Sequence, residues 1–424
     1  MWVVADDLTG AADATSAMAG PGVAGLILLD PMTDDGPLPV GPDSVVDVVA
    51  LDTDTRDAAA HLAHDTAYRA AMSARAAGAS VLFRKVDSTL RGHVAAEVTA
   101  TLAAAHTIWA PQPVLAVVAP AFPHARRTTV GGHQLLDGTP LERTEVWSSA
   151  GLTGPADLMA MFTAVGHQSR PVPIRVVRGA PEDLVGAIKD IAAIGIEIAV
   201  CDAETDQDLH AIAHAAVASG IRIVWVGSAG LAGQLSGVLG LGGGSPYDDA
   251  PPRPTGPVVT VVGSRSSVAA RQHRRIVEVP GVAELLLDPD MLLAGEAHAA
   301  WGPASAALGA ALAAGRDLAV ALRSADPVSD GDGRQLCEAV GRLIASHAGD
   351  IGALVCTGGE TTRAVLLAAG AHTLRFIREV EPGVVLSRAD GTHALPIVTK
   401  AGGFGDDDTL VHARDELTEG APHQ

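Results

Sequence analysis

The sequence predicts an α/β protein of two α/β domains, with largely parallel sheets and a ligand cleft between them. Two observations carry that expectation. Short β-branched runs alternate with alanine-rich stretches of helical length along the whole chain, which is the pattern of βαβ units. Midway, the Gly/Pro-rich run GLGGGSPYDDAPPRPTGP has no periodicity, and the alternation restarts after it. The expected divisions are residues 1–240, a linker at 241–257, and residues 258–424.

Taken in order, MWVV is an apolar strand that meets Asp6 and Asp7 and then the helical run LTGAADA. A strand buried in a parallel sheet reads as a continuous apolar run, and ligands bind beyond the carboxyl ends of such strands. Two adjacent aspartates there are placed for chemistry, although one helix start needs only one of them as an N-cap. VVDVVALDTDTR gives a second strand ending in Asp52, Asp54 and Arg56, and HLAHDTAYRAAMSARAAG a helix. SVLFRKVDST gives a third strand with Lys85, Asp87, Ser88, Thr89 and Arg91 at its end, before a helix from about His93. VLAVVAPAFP leads to Arg126, Arg127, Thr128, Gly131, Gly132 and His133, after which IEIAVCDAETD, a helix and IRIVWVGSAGLAGQLSGVL complete the first half. In the second half, VVTVVGSRSS, LAVALRSADP, a helix over about 331–348, ALVCTGGETTRAVLLAAG and LPIVTKAGGFGDDDTL repeat the alternation.

Composition narrows the function. With 424 residues, 48% hydrophobic and 18% charged, the chain is long enough for two cores. A net charge of -20 argues against nucleic acid as the main partner, because phosphate-backbone binding relies on clustered Lys and Arg, and 3% aromatics disfavour a base-stacking platform. Cys201, Cys337 and Cys356 lie far apart without CxxC spacing and read as small buried hydrophobes. No basic n-region precedes Asp6 and no apolar run reaches membrane-spanning length, so a cytoplasmic location is expected.

Three strands of the second half end in glycine turns that enter helices: GSRSS, with Ser264 and Ser266; CTGGET, with Gly358, Gly359, Glu360 and Thr361; and KAGGFG, with Gly402 and Gly403. Glycine permits sharp turns and close ligand approach, and a following helix presents free N–H groups to an anion. Three such turns at one sheet edge make a phosphate cradle without either GxxxxGK[ST] or GxGxxG. In the first half, Lys and Arg suit a carboxylate, while Asp and Ser read hydroxyls, so the strand ends there make a grip on a hydroxy acid. LDTDTR also resembles the nucleophile loop of haloacid-dehalogenase-type phosphatases, with Asp52 attacking phosphorus. Arg56 departs from that loop's usual continuation, and no convincing later acidic Mg²⁺ pair follows. Asp406, Asp407 and Asp408 open the last helix, where acidic residues suit the dipole; they also offer a carboxylate for Mg²⁺, so the metal ligands stay unassigned.

The ordered set ADDLTGAADA, DTDTR, RKVDSTLRG, APAFPHARRTTVGGH, VGSAGLA, GSRSS, CTGGET and KAGGFG resembles the four-carbon acid sugar kinase family, from residue 3 to about residue 411. Members are ATP-dependent kinases that phosphorylate the terminal hydroxyl of acids such as D-threonate, D-erythronate and 3-oxo-tetronates, with the acid on an amino-terminal and the nucleotide on a carboxyl-terminal domain. The resemblance implies that Asp7, Arg56 and Lys85 to Ser88 hold the acid, and that Ser264, Gly358 to Thr361 and Gly403 hold ATP. The chain departs from the family at Ala125-Arg126, where Gly-Arg is common. It departs again between Thr144 and Gly154, where an Asp-Pro is replaced by TEVWSSAGLTG.

The mechanism expected from these residues has Arg56, Lys85 and Arg91 pairing with the substrate carboxylate. Asp6 and Ser88 complete the grip, and Asp7 acts as general base with Asp87 second. ATP and Mg²⁺ are the expected cofactors, and a sugar acid and ATP the expected partners, with no nucleic acid and no membrane and with a homodimer as the assembly to test. Two other readings stay open at this level: the phosphatase using Asp52, and a non-catalytic binder of a sugar acid and a nucleotide.

Overall fold

The computed structural model describes residues 1–19, 22–29, 46–242, 254–323, 332–391 and 394–419, so most of the segment expected as a linker, 243–253, lies outside the described residues. The chain forms two compact units, one of residues 1–25 and 30–246, the other of residues 26–29 and 247–424.

In the first unit the parallel strands run in the order Val48–Asp52, Trp2–Ala5, Leu82–Lys85, Arg222–Gly227, Val114–Ala119, Ile198–Cys201 and Arg170–Val172. They are mostly apolar because helices cover both faces, with Arg84 a buried charge among them. Ala5 is level with Asp52 on one side and Lys85 on the other, and Gly227 is level with Lys85 and Ala119. The polar residues that follow these strands therefore emerge along one edge. The chain leaves Trp2–Ala5 toward Val48–Asp52 on one side and returns to Leu82–Lys85 on the other. The end of Trp2–Ala5 is thus the point where winding reverses, the position at which such sheets open a binding crevice.

Helices Leu8–Met18, Ala229–Leu239, Asp206–Ala218 and Pro181–Ala193 pack in sequence as one layer, and Ala60–Ala76 and Val94–Trp109 pack together as another. Ala63, Ala67, Ala70, Ala71 and Ala74 are buried, so alanine forms the contact face of Ala60–Ala76 and lets its neighbour approach closely. Trp2 reaches the same layer and donates from Nε1 to the Ala70 carbonyl at 2.8 Å. A three-stranded antiparallel sheet, Arg127–Val130, His133–Leu136 and Thr139–Pro140, is inserted after Val114–Ala119.

Side chains alternate across the strand Leu82–Lys85, so Arg84 and Lys85 point to opposite faces. Arg84 is fully buried and pairs with Glu97 of Val94–Trp109 at 2.5 Å. Thr55 donates to Glu97 at 2.7 Å, the Thr53 and Thr55 hydroxyls are 2.8 Å apart, and Thr53 donates to the Ala5 carbonyl at 2.8 Å. Burial pushes the Glu97 carboxyl above its ordinary value, and Arg84 opposes this only in part. This network ties the ends of three strands to one helix.

The second unit orders its strands Val282–Leu287, Asp317–Leu322, Val258–Val262, Ala353–Thr357, Leu395–Lys400, Val384–Asp390 and Thr373–Glu381, the first five parallel and the last two antiparallel. Leu26–Leu29, although early in the chain, groups with this unit because it pairs antiparallel with Thr373–Glu381. Val262 is level with Thr357, and Thr357 with Lys400, which lines up the three glycine turns. The winding reverses between Val258–Val262 and Ala353–Thr357, so the second unit also has its switch point at the residues of interest. Among the described residues no helix is long and apolar enough to cross a membrane.

Replacing Glu97 by Leu leaves a buried, uncompensated guanidinium, and a loss of about 3–5 kcal/mol is expected. The double variant Arg84→Met/Glu97→Leu removes both charges and is expected to recover most of it. Thermal melts of the two variants check the order; a double variant no more stable than the single one contradicts the buried-pair account.

Candidate active site

At the tip of Trp2–Ala5, Arg56 is bracketed by both aspartates. Its Nε and Nη2 donate to Asp6 at 2.8 and 2.9 Å, while Nη1 and Nη2 donate to Asp7 at 2.6 and 2.8 Å. Four of the five guanidinium N–H groups are thereby engaged. Burial pushes the Asp6 carboxyl upward, but the Arg56 guanidinium outweighs it and holds Asp6 below the ordinary aspartate value. Asp7 is the N-cap of Leu8–Met18, accepting from Gly10 N at 2.8 Å and from the Thr9 hydroxyl at 2.5 Å. Its two oxygens thus accept four hydrogen bonds. Two glycines make this fit: a Cβ on Gly10 would stand 2.6 Å from Asp7 Oδ1, and one on Gly92, at φ +81°, would stand 2.8 Å from Asp6 Oδ2.

The second group lies on the loop after Leu82–Lys85. Asp87 accepts from Arg91 Nε at 2.6 Å, from Arg91 Nη2 at 3.2 Å and from the Thr89 hydroxyl. Burial raises the Asp87 carboxyl, yet Arg91, Arg56 and Thr89 together hold it far below the usual carboxylate range. Leu90 holds a left-handed φ of 57°, a conformation that costs energy for a branched side chain and that the surrounding burial enforces. The Lys85 ammonium is buried, with Asp13 at 3.9 Å. The Ser88 hydroxyl accepts from Arg127 Nη1 at 2.6 Å, and the Ser88 carbonyl accepts from Gln134 Nε2 at 2.9 Å. The inserted sheet is therefore clamped onto this loop. It is also fastened by Asp202, which accepts from Gly132 N at 3.0 Å, and by paired backbone bonds between Thr129 and Ala203 at 2.8 and 3.0 Å. Asp6, Asp7 and Arg56 form one cluster and Asp87, Ser88 and Arg91 the adjoining loop, joined electrostatically by the pull of Arg56 on Asp87.

In the second unit the three turns interlock. Gly263 N donates to the Thr357 carbonyl at 3.0 Å and Gly358 N to the Lys400 carbonyl at 3.1 Å. Ser266 caps the helix Ser267–Val277 by accepting from Ala269 N at 3.1 Å, and its hydroxyl donates to the Gly402 carbonyl at 2.6 Å. The Ser264 hydroxyl accepts from Ser266 N at 3.3 Å. A Cβ on Gly263 would overlap Thr361, one on Gly402 would overlap Ser264, and Gly358 sits at φ +94° against Ser264, so these glycines are required by the packing itself. A Cβ on Gly403 would meet open space. Gly358 gives the helix Gly359–Ala368 no side-chain cap, which leaves its first N–H groups, near Glu360 and Thr361, available to an anion.

Lys400, missed by the sequence reading, holds this arrangement from beneath. Its buried ammonium donates to the carbonyls of Ala401 at 2.9 Å, Gly402 at 3.4 Å and Phe404 at 2.8 Å. Burial pulls the Lys400 amine down to about 8, with Glu381 opposing. Beside the turns lies a largely apolar pocket walled by Val261, Leu287, Val320, Leu336 and Val340, with Arg265, Glu360 and Thr361 at its polar side.

Other expectations resolve simply. Asp52 is fully buried and accepts from Asp54 N at 3.0 Å, a position from which a carboxylate has no access to a phosphate ester. Gly227 and Gly230 lie against the Ala119 and Ala121 carbonyls, so GSAGLA serves close helix–sheet packing. Asp407 and Asp408 pair with Arg271 at 2.7 Å and Arg275 at 2.8 Å, while Asp406 accepts from Asp408 N at 3.0 Å. Burial raises the Cys201 and Cys356 thiols to about 12 and that of Cys337 to about 11, as inert apolar groups. Among the described residues no group of three or more His, Cys, Asp or Glu could cage a metal. That donor set fits Mg²⁺ only as an ion carried by phosphates, with Glu360 the carboxylate at the glycine turns.

Gly402→Ala is expected to lower the melting temperature and abolish nucleotide binding, because the clash with Ser264 forces the turns apart. Gly403→Ala is expected to fold normally and to raise the nucleotide Kd alone. Titration calorimetry with melts separates the two, and equal behaviour of both variants contradicts the interlocked-turn account. For Lys400, the folded chain releases a proton near pH 8 whereas the unfolded chain holds it to about 10.5, so across that window the unfolded state binds more protons and this group's contribution to stability rises with pH. The wild-type melting temperature is expected to fall less, or rise more, than that of Lys400→Met between pH 8 and 10; parallel curves contradict the assignment.

Comparison with known proteins follows the same division. Residues 1–235 match a family model described as a sugar-binding N-terminal domain, and residues 259–410 one described as a nucleotide-binding C-terminal domain. The chain is 40% identical to a D-threonate kinase of Cupriavidus necator, with 98% of both chains covered. It is 32% identical to a D-threonate kinase of Bordetella bronchiseptica, covering 98% of this chain and 97% of that one. A solved protein of Haemophilus influenzae shares the fold with a TM-score of 0.74 at 20% identity, over 98% of this chain and 100% of that one. A sugar-binding and a nucleotide-binding family match in tandem, with end-to-end likeness to such enzymes, places the chain in the four-carbon acid sugar kinase family.

Proposed function

We propose that the protein is an ATP-dependent kinase that transfers the γ-phosphoryl group to the terminal hydroxyl of a four-carbon sugar acid, with D-threonate as the first candidate. The observation that carries this reading is the 40% identity to a D-threonate kinase over 98% of both chains. The geometry supports it independently. Phosphoryl transfer asks a protein mainly for positioning and for charge neutralisation around the phosphates. The turns at Ser264, Gly358–Thr361 and Gly402–Gly403 suit the phosphates, and the apolar pocket beside them suits the adenine ring. Mg²⁺ arriving with ATP supplies further charge neutralisation, with Glu360 as its nearest protein carboxylate among the pocket residues.

On the acceptor side, Asp87 is the better group for the hydroxyl. Its Oδ1 accepts only one bond, from Arg91 at 3.2 Å, whereas both oxygens of Asp7 are taken by Gly10, Thr9 and Arg56. A carboxylate held so far below its usual range orients the hydroxyl and accepts its proton only late, which a loose phosphoryl-transfer transition state tolerates. Asp7 then serves as cap and anchor for Arg56, and Asp6 as the second anchor. The burial of Asp52 disfavours the phosphatase reading.

The test is ADP release from Mg-ATP with D-threonate, D-erythronate, L-threonate and 3-oxo-tetronates offered separately. Release that depends on one acid is expected, with D-threonate the best substrate; no acid-dependent release from protein that binds ATP contradicts the reading. Asp87→Asn is expected to lower kcat by about 10²–10³ while the KM for ATP stays within a few-fold. Asp7→Asn is expected to act mainly on stability, by about 1–2 kcal/mol, through the lost charge partner of Arg56. A kcat loss larger for Asp7→Asn than for Asp87→Asn returns the base role to Asp7.

A further inference from the structure

The acid's carboxylate needs a cation, and at the strand ends of the first unit Arg56, Arg84 and Arg91 already hold carboxylate partners. Arg56 spends four of its five N–H groups on Asp6 and Asp7. Arg91 pairs with Asp87 at 2.6 Å, and Arg84 is sealed beneath the sheet with Glu97 at 2.5 Å. Two cations remain at the strand ends. Lys85 has Asp13 no closer than 3.9 Å. Arg127 donates from Nη1 to the neutral Ser88 hydroxyl at 2.6 Å, its Nε is buried without a hydrogen-bond partner, and among the described residues no carboxylate stands at ion-pair distance from it.

We propose that Arg127, together with Lys85, reads the substrate carboxylate, and that Arg127 therefore decides acid against neutral sugar. The inference rests on the kinase reading and deepens it. Arg127 is half-buried, but its Nε is sealed from solvent, and a buried donor without a partner is costly unless a ligand meets it; a planar carboxylate can meet Nε and a terminal nitrogen of the same guanidinium together. The two cations belong to one neighbourhood. Lys85 ends the strand Leu82–Lys85 and Ser88 lies on the loop that follows it, Arg127 is bonded to Ser88, and Asp13 stands 3.9 Å from Lys85 and acts electrostatically on Arg127. Burial, together with the neighbouring Arg91 guanidinium, pushes the Arg127 guanidinium below its ordinary value, with Asp87 and Asp13 pulling it back. Its position is built: the left-handed Arg126, at φ 57°, turns the chain into Arg127–Val130, and Gln134, itself held by Thr129 at 2.7 Å, fastens the sheet to the Ser88 carbonyl. A carboxylate anchored here leaves the opposite end of the four-carbon chain to receive phosphate.

The test compares wild-type protein with Arg127→Gln, Arg127→Lys and Arg69→Gln, the last a control at an exposed arginine of the helix Ala60–Ala76. Each is offered D-threonate and its uncharged carboxamide with Mg-ATP, alongside thermal melts. Arg127→Gln is expected to raise the KM for the acid roughly 100-fold, with kcat and the KM for ATP within a few-fold and little change in the poor use of the carboxamide. Arg127→Lys should regain part of the loss, and Arg69→Gln should match wild type. Equal losses on acid and carboxamide make Arg127 structural and overturn the inference. A kcat loss at unchanged KM assigns it to the transferred phosphoryl group and overturns it likewise. If Arg127→Gln fails to fold, the acid-to-carboxamide ratio of Arg127→Lys decides, and a ratio equal to wild type overturns the inference. A wild-type protein without acid-dependent ADP release overturns the kinase reading, and this inference with it.

Discussion

The first unit depends on one arrangement, the Arg56 guanidinium held edge-on by Asp6 and Asp7. Two adjacent carboxylates at a strand end repel each other, and a planar cation with donors on two edges is what lets them stand side by side. The consequences spread through the backbone. Asp7 starts the first helix, and the Asp6 carbonyl accepts from Thr55 N at 3.0 Å, so the loop after Val48–Asp52 is fixed to the tip of Trp2–Ala5. Gly92 lets the loop after Leu82–Lys85 close against Asp6. Beneath them Arg84 and Glu97 bind the same strands to Val94–Trp109. A cation used in this way has little capacity left for a ligand, which is the ground for the proposal that Lys85 and Arg127 take the substrate carboxylate.

The second unit solves a related problem with the opposite chemistry. Without a P-loop, it crowds three glycine turns against the Ser264 and Thr361 side chains, so that a Cβ on Gly263 or Gly402 would overlap them. Lys400 then draws three carbonyls inward. In both units the site sits where the winding of the sheet reverses, so the strand ends splay and a ligand can enter. Charge organises the first site and the absence of side chains organises the second.

Much of this was legible in the sequence because it is local. Apolar runs ending in ADD, DTDTR, RKVDS, GSRSS, CTGGE and KAGG marked strand ends, and a parallel sheet places strand ends on one edge. Pairing was not legible. Nothing in DTDTR says that Arg56 faces inward to two aspartates fifty residues earlier rather than outward to a ligand. Arg84 and Glu97 were hidden by being one charge each in apolar surroundings, although a lone Glu in VAAEVTATLAAA was a signal that a buried partner had to exist. Arg127 was read as one of several loop arginines, since its selection depends on the inserted sheet and on Ser88. Leu26–Leu29 shows the limit for topology, because its antiparallel partner lies more than three hundred residues away and no local pattern encodes it.

The central claim is that the acid is held by its carboxylate end so that the far hydroxyl takes the phosphate. Phosphorus NMR of the product made from Mg-ATP and D-threonate tests it most directly. The account predicts a phosphomonoester whose phosphorus is coupled to the two protons of the terminal methylene. Coupling to a single methine proton, or an acyl phosphate with no proton coupling, would place the wrong end of the acid against the nucleotide and contradict the account.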